Sequence, residues 1–344
     1  MPYHLGVAKT ILSQTAAQQQ GNSPAREKVE NSPNNDNNAL DLLPIRCVSG
    51  SSSGAIAATV MTLLPHRLEE YTDRFLQDRG YAFTSLREII LEEAKTKGLN
   101  KSGPILSICT TRCSDGDIEL FSFAGDTITP LSNEVSDTHI SSSNDNSGLP
   151  DNRHERLLQA IEASCKIPRS FHPIDMVSFN KNWLTKLLPN INKGDVYPPA
   201  EGVIIDGHGY ADGGIAAPFP PTLLDVDPAC TGRIVVSPIA GEYFYQKQND
   251  TTRDLPELVA IRPAIDASSW KAPLFRSVTL GGSRSIAGLD ATVAVRAASN
   301  SQNLRVLTTA MGVVPSSGGS KDGGVLRDWY KRGQEDAHEA LQSL

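Results

Sequence analysis

The chain has 344 residues, enough for one large domain or two small ones. Hydrophobic residues make up 39% and charged residues 21%, ordinary values for a globular protein that buries a substantial core. The net charge of −7 argues against a nucleic-acid-binding surface, which would need clustered Lys and Arg.

The first predicted element is a helix from Tyr3 to Leu12, whose apolar residues recur with helical spacing. Residues 14–41 follow and are rich in Gln, Asn, Pro and Ser, and residues 132–153 have a similar polar composition. Neither stretch has enough apolar surface to offset the entropy lost on ordering. We therefore predict two disordered insertions, at 14–41 and at 132–153.

Between the insertions, strand-like and helix-like patterns alternate. Short apolar runs predict strands at Ile45–Ser49, Ile105–Thr110, Glu119–Phe123, Val203–Ile205 and Arg233–Ser237. Longer apolar or amphipathic runs predict helices at Ala55–Leu64, His66–Leu76, Ser85–Ala94, Leu157–Ser164 and Val325–Leu344. This alternation predicts a single layered α/β domain over residues 1–344, with a mainly parallel sheet.

The segment Gly50-Ser51-Ser52-Ser53-Gly54 stands between a predicted strand and a predicted helix. This Gly-x-Ser-x-Gly pattern in that context is typical of a nucleophile elbow, with Ser52 as the nucleophile. We expect Gly50 and Gly54 to leave room where a side chain would clash. The Ser53 backbone N–H and the helix N-terminus would face charge that develops beside Ser52. A Ser/Gly-rich turn without catalytic function is the alternative for the pentapeptide taken alone.

A serine hydroxyl needs a neighbouring base to become a good nucleophile. His338 comes late enough for a Ser-Asp-His order, but it lies inside a predicted helix. His208 lies between two glycines and is predicted to be an exposed turn residue. Asp212-Gly213-Gly214, at the end of a short predicted strand, offers a carboxylate as base instead. Taken alone, this tripeptide is a common turn.

A Gly-x-Ser-x-Gly elbow followed much later by Asp-Gly-Gly resembles the patatin-like phospholipases. The resemblance implies a three-layer α/β/α sandwich and a catalytic dyad of Ser52 and Asp212 without a histidine. It also implies a serine esterase that hydrolyses carboxylic esters of phospholipids or acylglycerols, with no metal or organic cofactor and no nucleic-acid partner. Transient contact with a membrane or lipid-droplet surface would accompany such a substrate. Framework segments that are also similar lie at 157–168, 171–173, 235–238 and 326–337.

One departure from the family pattern concerns the beginning of the domain. The family has a strand and a glycine-rich loop before a helix similar to residues 2–9, and that loop supplies oxyanion donors. The resemblance therefore leads us to expect an N-terminally incomplete domain, with the Ser53 N–H as its oxyanion donor and with little activity. A non-catalytic lipid-binding or scaffold protein of the same fold is the alternative function. Acyl transfer to an alcohol would use the same residues.

The cysteines bear on the compartment. Their odd number and wide spacing predict buried thiols in a reducing intracellular compartment, and membrane association is compatible with this. No metal site is expected, because Cys109 and Cys113 have no second pair of Cys or His residues to complete one. The cysteines are Cys47, Cys109, Cys113, Cys165 and Cys230.

Overall fold

The computed structural model describes residues 1–21, 45–77, 82–96, 103–124, 127–131, 153–167, 202–221, 231–247, 255–265, 279–281, 291–298, 300–310 and 322–342. Most of both predicted insertions, residues 22–41 and 132–152, lies outside these ranges. Within the ranges, the prediction of disorder is wrong for residues 14–21, which extend the first helix. Arg153, the last residue of the second predicted insertion, begins a helix.

The main sheet has six strands, which are β1 (Cys47–Ser51), β2 (Ile105–Arg112), β3 (Ile118–Ala124), β4 (Thr127–Leu131), β5 (Val203–Ile205) and β6 (His208–Asp212). Their order is β4-β3-β2-β6-β5, and β1 also pairs with β2. β3 lies along one edge of β2 from Leu106 to Thr111, so β1 and β6 share the other edge.

The direction of the strands differs from the prediction. Only β1 runs parallel to its neighbour, and the other pairings of this sheet are antiparallel among the described strands. The predicted mainly parallel sheet is therefore wrong for these strands. Short turns are the reason: Asp206 and Gly207 join β5 to β6 with φ values of 49° and 82°. These values fit a type I′ hairpin, and a two-residue loop joins antiparallel strands only.

Helices pack on this sheet around one large core. They are α1 (Pro2–Gly21), α2 (Ser53–Leu63), α3 (Leu68–Gln77), α4 (Ala82–Thr96) and α5 (Arg153–Ser164). Residues 55–63 of α2 are all buried. A helix that is buried on every side needs apolar or small residues all round, which this alanine-rich segment supplies. The α/β class is thus confirmed, and the three-layer arrangement stays a prediction.

The C-terminal part of the described chain adds two small sheets and three helices. β7 (Gly232–Val236) pairs with β9 (Glu257–Ile261), and β11 (Ala291–Ala297) lies between β10 (Thr279–Gly281) and β8 (Gly241–Lys247). The helices are α6 (Gly213–Ala216), α7 (Ser301–Ala310) and α8 (Asp322–Gln342). The sequence predicted β7 and α8, but it did not predict β8 to β11 or α7.

The final helix α8 packs against α1. A Cβ atom on Gly333 would lie 2.2 Å from the Tyr3 carbonyl oxygen, so the two helices approach each other at this glycine. The Tyr3 hydroxyl donates to the Asp336 carboxylate at 2.9 Å. This contact joins the two ends of the described chain. Among the described helices, none combines the length and the apolarity that crossing a bilayer requires.

Candidate active site

Ser52 lies at the junction of β1 and α2, with φ 51° and ψ −127°. A positive φ is unfavourable for a residue with a side chain, and it is typical of the strained turn at a nucleophile elbow. Ser52 is the N-cap residue of α2, but its side chain makes no capping hydrogen bond. The hydroxyl is therefore not used to satisfy the start of the helix.

The two glycines of the Gly-x-Ser-x-Gly pattern differ in their surroundings. A Cβ atom on Gly50 would lie 2.4 Å from the Gly54 carbonyl oxygen, so only glycine fits at position 50. A Cβ atom on Gly54 would meet nothing within 4 Å. The expectation that Gly54 avoids a clash is therefore wrong, since the turn closes over Gly50 while the first turn of α2 leaves open space at Gly54.

The sheet brings Ser52 and Asp212 together. Along one edge of β2, Ser51 at the end of β1 is opposite Cys109, and Asp212 at the end of β6 is opposite Thr110. Because β1 runs parallel and β6 antiparallel to β2, the two strands end head to head at neighbouring residues of β2. Ser52, the residue after β1, therefore meets the last residue of β6.

Close contact at this junction depends on Gly213. A Cβ atom there would lie 2.0 Å from the Cys109 carbonyl oxygen and 3.2 Å from the Ser51 Cβ. The first glycine after Asp212 thus allows the turn at residues 212–214 to approach β2 and the nucleophile elbow closely.

Backbone and side-chain hydrogen bonds fix the position of Asp212. Its N–H donates to the Lys166 carbonyl at 2.9 Å, and its carbonyl accepts from the Thr111 hydroxyl at 2.7 Å. The Asp212 carboxylate accepts from the Gly214 N–H at 2.8 Å. Since this bond uses only Oδ1, the turn orients the carboxylate without using all of its acceptor capacity.

Asp212 is 5% exposed, and its environment changes its acidity. Burial raises the pKa of Asp212 from 3.8 to about 6, although hydrogen bonds from the Ser52 side chain and the Gly214 N–H act in the opposite direction. A carboxylate with a pKa near 6 is ionised at neutral pH and is a stronger base than a free aspartate. The pair therefore has the chemistry of a hydroxyl beside a base.

The Ser53 N–H is the donor that the sequence indicates for an oxyanion. Ser53 is the first residue of α2, so its N–H has no acceptor within the helix, whereas the Ala55 N–H donates to the Ser52 carbonyl at 3.0 Å. The first N–H groups of a helix point outward from its N-terminus. The Ser53 N–H can therefore bind an anionic oxygen next to Ser52, a role that stays a prediction.

Four residues around the dyad were not predicted as site residues. They are Thr111 and the consecutive residues Ser164, Cys165 and Lys166. Ser164 and Cys165 form hydrogen bonds with the backbone of Ser52, and Thr111 and Lys166 with that of Asp212. The sequence placed residues 164–166 in a framework segment. A helix that ends in Ala163-Ser164 gives no local signal of the distant residues that it contacts.

The two histidines weighed as alternative bases both lie on the surface. His208 is exposed at the first position of β6, four residues before Asp212. His338 is exposed in α8, and its Nε2 lies 2.7 Å from the Gln342 side chain. The predicted helical position of His338 is confirmed, and His208 is in a strand directly after the hairpin turn.

The described cysteines Cys47, Cys109, Cys113 and Cys165 are free thiols, and Cys230 lies outside the described residues. Over the same described ranges, no group of three or more His, Cys, Asp or Glu side chains could hold a metal ion.

A comparison with protein families gives a match over more than half of the chain. A family model described as "Patatin-like phospholipase" matches residues 1–225, a range that includes β1 to β6 and both Ser52 and Asp212. No curated protein and no solved structure matches the chain.

Proposed function

Because the chain belongs to the patatin-like phospholipase family, we propose that it hydrolyses carboxylic esters of phospholipids or acylglycerols through an acyl-Ser52 intermediate. Asp212 is the base of this reaction. The family indicates lipid acyl hydrolysis in general; the ester class and the residue roles are the proposal.

The observation that carries the proposal is the meeting of a strained serine and a buried carboxylate at one point of β2. Ser52 has φ 51°, and Asp212 has a pKa raised by burial to about 6. Both features are unfavourable for the fold. Strained backbone and perturbed carboxyl groups occur together where a site has been shaped for chemistry.

In the acylation step, the Asp212 carboxylate accepts the Ser52 hydroxyl proton while Oγ attacks the ester carbonyl carbon. The carbonyl oxygen becomes an oxyanion, which the Ser53 N–H and the N-terminus of α2 stabilise. The C–O bond to the alcohol then breaks, and the protonated Asp212 returns its proton to the leaving alkoxide oxygen. The product of this step is the acyl ester of Ser52.

In the deacylation step, water replaces the alcohol. Asp212 accepts a proton from the water, whose oxygen attacks the acyl carbon, and the proton passes to Ser52 Oγ as the acyl bond breaks. The raised pKa of Asp212 suits this double use, because a base works best when its pKa lies near the working pH.

The protein would meet its substrate by transient contact with a membrane or lipid-droplet surface.

The test is a lipid assay of the wild type beside two serine variants. Phospholipid vesicles and emulsified triacylglycerol are offered separately, and the released fatty acid is measured by mass spectrometry. Ser52→Ala removes the proposed nucleophile. Ser53→Ala is the matched control, since it removes the next hydroxyl but keeps the backbone N–H.

We expect low but measurable fatty acid release by the wild type and by Ser53→Ala, and none above background by Ser52→Ala. Release by Ser52→Ala at the wild-type rate would refute the proposed nucleophile. If wild type and variants bound the vesicles equally and none released fatty acid, a non-catalytic lipid-binding function would replace the proposal.

A further inference from the structure

The C-terminal end of α5 contacts the backbone of Ser52 on both sides. The Ser52 N–H donates to Ser164 Oγ at 2.9 Å, and the Cys165 thiol donates to the Ser52 carbonyl oxygen at 3.2 Å. Two consecutive side chains thus hold the two peptide groups that flank the nucleophile's Cα.

Ser164 also fixes the elbow to the sheet. Its hydroxyl donates to the Cys109 carbonyl at 2.7 Å while it accepts from Ser52. A hydroxyl has one donor and two acceptor positions, so this residue can make both bonds at once. Cys109 is the β2 residue opposite Ser51. Ser164 therefore links Ser52 to β2, the strand along which β1 and β6 meet.

The next residue of the same segment contacts the base. The Lys166 carbonyl accepts from the Asp212 N–H at 2.9 Å. Residues 164–166 thus contact the backbone of both members of the dyad, from one helix end. That end is well anchored, because Leu157 and Ile161 of α5 are essentially fully buried in the main core.

We propose that residues 164–166 are a positioning bridge that holds the elbow at Ser52 in its strained form and sets its distance to Asp212. This inference rests on the proposed function and adds Ser164 and Cys165 to it as positioning residues. Ser164 is 0% exposed, so it acts on the reaction through Ser52 and not through the substrate.

The bridge is expected to act on kcat. Loss of the Ser164 hydroxyl leaves the Ser52 N–H and the Cys109 carbonyl without their partner, so the elbow can relax away from its positive φ. A displacement of about 1 Å at a reacting group can lower the rate about 100-fold. KM should change little, because neither hydrogen bond involves substrate.

The first variant is Ser164→Ala, and its matched control is Ser122→Ala. Ser122 is a buried serine on β3, and its hydroxyl lies 3.1 Å from that of Ser107. Both variants remove one buried hydroxyl, but only Ser164 contacts Ser52. Hydrogen exchange of the backbone amides at 50–54 is measured beside kcat and KM for ester hydrolysis.

For Ser164→Ala we expect amide exchange at 50–54 to be faster by about 10-fold or more, and for Ser122→Ala by less than about 2-fold. The same Ser164 variant should lose about 10- to 100-fold in kcat at nearly constant KM. Equal exchange in the two variants would overturn the bridge. Faster exchange with an unchanged kcat would overturn its positioning function.

A second pair of variants covers the case in which Ser164→Ala does not fold. Cys165→Ala removes the thiol donor, and Cys165→Ser keeps a donor in its place. A thiol is a weak donor, so we expect about a 3-fold loss of kcat for the alanine variant and recovery in the serine variant. Identical rates for these two variants would contradict the assignment of Cys165.

The exchange measurement separates this proposal from the proposed function. If the wild type hydrolysed no ester, the function would fail, and the exchange at 50–54 would still decide whether Ser164 holds the elbow.

Discussion

The elbow at Ser52 and the turn at Asp212 meet at one point of β2, but the fold holds them in different ways. Ser52 has a positive φ of 51°, and side chains of Ser164 and Cys165 hold its two peptide groups. Asp212 has ordinary backbone angles, φ −51° and ψ 124°, but its carboxyl group is buried. The elbow therefore carries conformational strain, and the turn carries an electrostatic cost.

The register of one strand thus places two unfavourable features of different physical origin side by side. Each is tolerated because its surroundings over-determine it: the bridge of residues 164–166 at the elbow, and hydrogen bonds from Thr111 and Gly214 at the turn. Variants that affect only the elbow or only the turn can separate the backbone strain at Ser52 from the cost of burying the Asp212 carboxyl group.

The largest expected effect is the loss of rate in Asp212→Asn. An amide oxygen can still accept from the Gly214 N–H, but it cannot take the Ser52 proton. Loss of a general base lowers the rate by about 10²- to 10⁴-fold. The rate is measured as kcat/KM on the ester that the wild type hydrolyses, and a loss of less than about 3-fold would remove Asp212 from the mechanism.

The same variant should be more stable than the wild type at neutral pH. Burial raises the pKa of Asp212 from 3.8 to about 6, so the folded state binds the proton more tightly than the unfolded state. The stability linked to that proton is fully present below 3.8, the pKa of Asp212 in the unfolded state. It is lost as the pH rises through the folded-state pKa of about 6. Asp212→Asn, which never ionises, should gain on the order of 2–3 kcal/mol in the free energy of unfolding at about pH 7.5.

Urea unfolding at about pH 7.5 and about pH 4 checks this, because most of the gain should be lost at the lower pH. An Asn variant that is less stable than the wild type at neutral pH would show that the turn carries no electrostatic cost.

The elbow's conformational cost is tested by comparing Gly50→Ala with Gly54→Ala. A Cβ atom at position 50 would lie 2.4 Å from the Gly54 carbonyl oxygen, whereas one at position 54 meets nothing within 4 Å. We expect Gly50→Ala to lower the free energy of unfolding by about 1–3 kcal/mol or more. Gly54→Ala should be neutral or stabilising by up to about 1 kcal/mol, since alanine favours a helix. Equal losses in urea unfolding would contradict the asymmetry of the elbow.

The pH dependence of the wild-type rate tests the raised pKa of Asp212. Asp212 acts as a base only when ionised, and its pKa is about 6. The value of kcat/KM should therefore fall about 10-fold between about pH 7 and about pH 5, with a midpoint near the pKa. A rate that stayed constant over this interval would mean that the base has the pKa of an exposed carboxylate.

The smallest expected effects are those of His208→Ala and His338→Ala. Both side chains are exposed, and neither contacts the dyad, so each variant should keep kcat/KM within about 3-fold of the wild type. A loss as large as that of Asp212→Asn, in either variant, would mean that a histidine shares the base function.

The sequence predicted those parts of the site whose geometry is local. A strand, a strained serine and a helix need glycine at position 50 and small residues after position 54, and this pattern is visible in 12 residues of sequence. The Asp-Gly-Gly turn is visible for a similar reason, since a Cβ atom on Gly213 would lie 2.0 Å from the Cys109 carbonyl oxygen and only glycine fits there.

What the sequence did not predict depends on contacts between distant segments. β1 and β6 each pair with β2 along the same edge, which brings together residues near 50, 110 and 210. No local pattern in the sequence encodes these pairings. The same holds for Ser164, whose partners are Ser52 and Cys109. The mainly parallel sheet was wrongly predicted because the alternation of elements does not encode the tight turns that reverse the chain, such as Asp206-Gly207.

The role of Ser52 as nucleophile is tested most directly by reaction with a fluorophosphonate, which forms a covalent bond with an activated serine. Peptide mapping by mass spectrometry locates the adduct in the wild type, in Ser52→Ala and in Ser53→Ala. We expect one adduct, on Ser52, that is lost in Ser52→Ala and kept in Ser53→Ala. An adduct on Ser51 or Ser53, or equal labelling of Ser52→Ala, would contradict this role.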